Sequence, residues 1–148
     1  MITMNSKTLN KILSTSFVVT LGFTGCFASP KPWEITHPAS GKIEYKGKPL
    51  ENAELTLFPT DTKVPESVRP KAKSTAEGMF VLGTYSQSDG APTGKYKVTV
   101  VRNEVSISKD TIVAKPNDLP TKYSVLSTTD LEVEILAGNN ELPAITLK

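Results

Sequence analysis

Apolar and polar residues alternate along much of this chain, in runs too short for helices. The clearest run is GKYKVTVVRN (94–103), where Tyr96, Val98 and Val100 fall on one side and Lys97, Thr99 and Val101 on the other. A period of two, rich in β-branched residues, predicts a strand with one buried face. SGKIEYK (40–46) sets Ile43 with Tyr45, and AELTLFP (53–59) sets Leu55 with Leu57. LEVEIL (131–136) turns Leu131, Val133 and Ile135 inward against Glu132 and Glu134. MFVLGTY (79–85) and LPAITLK (142–148) supply two more strands.

Turn residues separate these runs. Gly47-Lys48-Pro49, Ala76-Glu77-Gly78, SDGAPTG (88–94) and Ala137-Gly138-Asn139-Asn140 each break the alternation. Pro49, Pro59, Pro92 and Pro120 sit at strand ends or in loops, where a missing N–H removes no ladder bond. Residues 61–71 read as a polar loop. Residues 104–130 read as a long one, with Val105, Ile107, Ile112 and Val113 adding an edge strand. About seven short strands with regular turns predict an all-β fold: one antiparallel, immunoglobulin-like β-sandwich over 39–148.

The start of the chain has another character. Lys7 and Lys11 precede ILSTSFVVTLGFTG, a short apolar run ending just before Cys26, the one cysteine of the 148 residues. A basic start, a brief apolar stretch and small residues at the cut mark an export signal. Thr24-Gly25-Cys26 also resembles a bacterial lipobox, with Phe23 standing where Leu is usual. The expectation is a lipoprotein signal peptide at 1–25, lipid on Cys26, and a proline-rich, lipid-anchored tether at 26–38. A lone thiol in an oxidising compartment is a liability unless it is capped. Trp33, in the tether, either covers the domain edge or sits at the membrane interface. Phe27, rather than Asp, after the lipid-bearing residue points to the outer membrane.

Charge removes one class of partner. Cleavage before Cys26 takes Lys7 and Lys11 with it, leaving fifteen basic and fifteen acidic residues. That balance speaks against nucleic acid.

The loop ending Gly94-Lys95 invites a phosphate-site reading, but its spacing fails. A P-loop needs four residues between Gly and Gly-Lys, then Ser or Thr, then a helix. Here three residues separate Gly90 from Gly94, Tyr96 follows Lys95, and a strand comes next. The loop reads instead as a structural turn. Asp89 bonds backbone N–H groups in an Asx-turn, Gly90 and Gly94 take turn conformations, and Pro92 stiffens the link. No cofactor or metal is expected, since Cys26 and His37 are the only Cys and His. Asp61, Asp110, Asp118 and Asp130 are scattered as solvated surface, and Glu132 with Glu134 reads as an outer strand face. A Ser-His-Asp arrangement would have to recruit His37 from the tether. No catalytic residue is assigned.

Four segments carry a family resemblance. SGKIEYKGKPLENAELTLFP and STAEGMFVLGTYSQSDGAPTGKYKVTV resemble the opening and central segments of small planctomycete-type lipoproteins. Gly41, Tyr45, Gly47, Pro49 and Leu50 match in the first, and Thr75, Gly78, Phe80, Asp89, Gly90, Ala91, Pro92, Gly94 and Tyr96 in the second. LPTKYS and LEVEILAGNNELPAITL are similar to its C-terminal segments. The resemblance implies a carboxypeptidase regulatory-like, or transthyretin-like, sandwich, with a lipid anchor and a cell-envelope location. It implies no reaction. The related hydroxyisourate hydrolases use several histidines and end Tyr-Arg-Gly-Ser, whereas this chain ends Ile145-Thr146-Leu147-Lys148.

The expected function is a non-catalytic envelope protein held on the membrane through Cys26. It would contact an envelope protein through a sheet edge or the 104–130 segment. The alternative is a glycan-binding sandwich, for which Trp33, Tyr85 and Tyr123 are the candidate aromatic platforms.

Overall fold

The computed structural model describes residues 29–108 and 111–148; Cys26 and the 1–25 leader lie outside them. In chain order the elements are β1 (Ala39–Tyr45), β2 (Lys48–Pro49), β3 (Glu54–Pro59), β4 (Lys71–Lys73), β5 (Met79–Val81), β6 (Gly94–Val101), β7 (Glu104–Ser108), β8 (Thr111–Lys115), α1 (Thr121–Ser124), β9 (Glu132–Ile135), β10 (Asn140–Glu141) and β11 (Ile145–Leu147). A 3-10 turn at Pro32–Glu34 precedes them.

The fold is an all-β sandwich. One sheet runs β4-β3-β6-β9, entirely antiparallel. The other is built around β1, which pairs antiparallel with β2 and β5 and parallel with β10 and β11. The parallel pairs arise because the chain crosses from β9 to the opposite sheet and arrives alongside β1 in its own direction. The neighbours of β1 come in short pieces, so the eleven strands among the described residues exceed the seven or so that alternation alone predicts.

The buried faces match the pattern that produced them. Ile43, Leu55, Leu57, Tyr96, Val98, Val100, Val133 and Ile135 all enter one core with Phe80, Leu82 and Leu147. Each large side chain buried this way contributes roughly 1.5–3 kcal/mol. Gly41 leaves the space that the Phe80 ring fills, since a Cβ there would lie 2.7 Å from Phe80 Cζ. Buried Ser74 ties two loops together: its hydroxyl donates to the Leu50 carbonyl at 2.6 Å and accepts from the Ala53 N–H at 2.9 Å.

Two segments differ from the sequence expectation. The 61–71 loop is partly interior, with Val64, Val68 and Pro70 buried. The 104–130 segment is structured. β7 and β8 pair with each other in a two-stranded ribbon, joining neither sheet. Two five-residue runs separated by two residues can close a hairpin locally, which no edge position competes against. At its base Arg102 donates its N–H to Asn117 Oδ1 at 3.0 Å and its guanidinium pairs with Asp118. Then α1 buries Tyr123, whose hydroxyl accepts the Lys148 N–H at 3.0 Å.

Candidate functional site

The two sheets meet along a seam between β4 and β5. β3 takes the backbone bonds of Pro70, Ala72 and Ser74, and β1 takes those of Gly78, Phe80 and Leu82. The intervening residues therefore face each other across the seam. Lys71 and Gly83 exchange both backbone bonds at 2.8 and 2.9 Å, and the Thr75 N–H donates to the Met79 carbonyl at 2.8 Å. Lys73 and Val81 stand between these rungs, and no ladder joins β4 to β5 there.

Over this seam lies a groove made of two hollows of about 460 and 430 Å³, which share Lys71 and Gly83. Arg69, Lys71 and Lys73 form one wall. The period of two explains them: Val68, Pro70 and Ser74 turn inward, so Arg69, Lys71 and Lys73 turn outward. Met79 and Val81, each nearly half exposed at 46 and 48 %, form the apolar floor around buried Phe80. Ser86, Gln87 and Ser88 line the first hollow beside the shared Gly83, and Thr84 and Tyr85 line the second.

The loop that carries Tyr85 is held from within. Asp89 Oδ1 accepts the Thr84 N–H at 2.6 Å, and Oδ2 accepts those of Tyr85 and Ser86 at 3.1 and 3.0 Å. All three donors precede Asp89, so the carboxylate closes the loop backward rather than making the forward Asx-turn. Positive φ values at Ser88 (63°) and Gly90 (90°) reverse the chain to allow it. Burial raises the Asp89 carboxyl, but the backbone donors outweigh it and leave the group below its ordinary value.

Tyr85 is the exposed aromatic, with 55 % of its surface accessible, whereas Tyr123 is buried. Its hydroxyl donates to the Trp33 carbonyl, and Trp33 lies half-buried beneath Lys31, whose ammonium is 5.4 Å from the ring centroid. Burial, then the carboxylates of Glu34 and Asp89, push the Tyr85 phenol up, so it remains a neutral donor.

The other turn residues lie beside this loop. Gly90 passes under His37, Pro92 is buried with its carbonyl accepting the Tyr96 hydroxyl at 2.8 Å, and Gly94 opens β6 with a φ of 152°. His37 exchanges backbone bonds with Ala91, and its Nδ1 accepts the Gly138 N–H at 3.1 Å. Among the described residues, no three His, Cys, Asp or Glu side chains gather around one point where a cation could sit. Cys26 lies outside the described residues. The polar-loop reading of 61–71 hides the cationic wall; the alternation of Arg69, Lys71 and Lys73 with Pro70, Ala72 and Ser74 is the signal that marks it.

No family model matches the chain, and no curated protein matches it. Three solved structures resemble the fold. A 9R-lipoxygenase from Cyanothece has a TM-score of 0.43 and 18 % identity, covering 81 % of this chain and 17 % of its own. A DUF3823 family protein from Parabacteroides merdae has 0.41 and 14 %, covering 76 % and 45 %. A candidate carbohydrate binding protein from Pseudomonas aeruginosa has 0.40 and 12 %, covering 76 % and 87 %. The chain thus spans less than half the length of the first two. Likeness at these scores carries no argument about function.

Proposed function

We propose that this chain is a non-catalytic binding module of the bacterial cell envelope, exported by its 1–25 leader and anchored through lipid on Cys26. We further propose that the β4–β5 groove displays Tyr85 to a glycan. The exposed ring of Tyr85 carries this reading. It stands on a loop fixed by three bonds to Asp89, beside an apolar floor and a row of hydroxyl groups. Sugars offer C–H faces to stack on such a ring and hydroxyls to bond around it, and a rigid aromatic loses little entropy in doing so. The His37 Nδ1 accepts the Gly138 N–H, so that nitrogen serves the fold.

The test is affinity electrophoresis of the full chain through gels containing a panel of neutral and acidic polysaccharides. Wild type should be retarded by at least one, and Tyr85→Ala should lose most of that retardation. Unchanged mobility of wild type in every gel contradicts the glycan reading. A protein partner is the second reading, favoured by the β7–β8 ribbon, which stands apart from both sheets.

A further inference from the structure

We infer that the groove selects an acidic glycan, one bearing carboxylate, sulfate or phosphate groups. This rests on the glycan reading above and adds the charge of the ligand. Three cations, Arg69, Lys71 and Lys73, line the two hollows, and no Asp or Glu lines either of them. Among the described ion pairs none involves these three side chains.

The surrounding acids are spoken for or misplaced. Asp89, in the loop beside the groove, turns both oxygens to backbone donors of its own loop. Glu77 accepts from the Thr75 hydroxyl at 2.9 Å. Glu54 stands opposite Lys73 in the β3–β4 register without closing an ion pair, and Lys71 stands opposite Thr56. Lys95 and Lys97 of the same sheet also lie opposite acids, Glu134 and Glu132, but neither lines the two hollows. Positive charge is therefore gathered around the groove, where three cations and no acid line the hollows.

Arg69 is held in place. Its Nε donates to the Glu66 carbonyl at 3.1 Å and its guanidinium lies 4.8 Å from the Phe58 ring centroid. Hydroxyls of Thr75, Ser86 and Ser88, with the Gln87 amide, complete the polar rim. A peptide strand fits the site less well than a sugar chain. Strand addition needs an open sheet edge, and the seam is closed at both ends by the Lys71–Gly83 and Thr75–Met79 bonds.

The experiment compares polygalacturonate with its fully methyl-esterified form, which share a backbone and differ in charge, and adds dextran sulfate, dextran and polyglutamate. Binding of the full chain is measured by titration at 50 and 200 mM salt. The acidic polysaccharides should bind at least ten-fold more tightly than their neutral partners. That affinity should fall roughly ten-fold across the salt range, as two or three displaced counterions imply. Lys71→Gln with Lys73→Gln should abolish the preference, while Lys95→Gln with Lys97→Gln, on the same sheet, should not. Circular dichroism confirms that each variant is folded. Equal, salt-independent binding of neutral and acidic forms overturns the charge inference and leaves the glycan reading standing. Binding of polyglutamate as tightly as polygalacturonate overturns the glycan class in favour of an acidic peptide. Acidic binding unaffected by the Lys71/Lys73 pair overturns the site. Failure of every polysaccharide to bind overturns both readings.

Discussion

The carbonyl oxygen of His37 occupies the space that a side chain at position 90 would need: a Cβ built on Gly90 would lie 1.9 Å from it. The contact is backbone against backbone, so no rotamer can relieve it. It exists because His37 and Ala91 exchange two hydrogen bonds, laying the segment before β1 across the Gly90 turn. Gly90→Ala should therefore destabilise the domain by roughly 3 kcal/mol or more, combining a left-handed φ with a forced separation of that pair. Gly47→Ala is the control. Its φ of 75° is similar but the space around it is open, so about 1 kcal/mol of conformational strain is expected. Urea unfolding of both variants measures the difference, and equal losses would contradict this account of Gly90.

Asp89→Asn leaves one acceptor oxygen for three N–H groups. A loss of about 2 kcal/mol is expected, since bonds to a charged acceptor are stronger than neutral ones. The acid side of the stability curve should change as well. The folded carboxyl titrates below its unfolded value, so its contribution is present above about pH 4 and is lost as pH falls through the lower folded pKa. Asp118, lowered chiefly by its bond from Arg102, acts in the same direction. Melting temperature between pH 2 and 5 should thus fall less steeply in Asp89→Asn than in wild type, without becoming flat. An identical slope would remove Asp89 from the acid response.

Tyr96 sets the alkaline side. Burial first, then the Tyr85 and Asp61 charges, push its phenol up to about 12. A raised folded pKa means the native state holds its proton longer than the unfolded chain does. The contribution is complete below the unfolded value near 10 and is lost as pH rises through about 12. Tyr96→Phe should flatten the fall in melting temperature between pH 10 and 12. It should also cost about 1 kcal/mol at neutral pH through the lost bond to the Pro92 carbonyl. Absorbance titration at alkaline pH checks the assignment, since one tyrosine fewer should ionise late.

How much of this was readable in the sequence varied with the length of each pattern. β6 alternates for eight residues and its inward set, Tyr96, Val98 and Val100, is buried as the alternation predicts, while Thr99 on the other face is covered as well. The strand expected over 79–85 ends at Val81, because the chain leaves the ladder to form the loop that Asp89 closes. Val64 and Val68 show no period, so their burial under the 61–71 loop had no local signal. The groove was legible only in parts. Tyr85 could be named as an aromatic candidate, but its exposure, and the placing of Lys73 opposite Val81, depend on the meeting of two sheets that no single strand encodes.

The proposed lipid on Cys26 can be tested separately. Several acyl chains on one cysteine would hold the protein firmly at a membrane, whereas a single chain binds marginally. Cys26→Ser expressed in a bacterial host should move from the membrane pellet to the soluble fraction, and the wild-type N-terminal peptide should carry the lipid mass. A mutant that stays in the pellet would contradict a lipid-only attachment.

The most direct test of the groove itself is hydrogen–deuterium exchange of the full chain with and without polygalacturonate. Protection is predicted on β4, β5 and the 84–88 loop, with β7, β8 and the outer edge of β9 unchanged. Protection confined to the β7–β8 ribbon, or absent throughout at saturating polysaccharide, would contradict it.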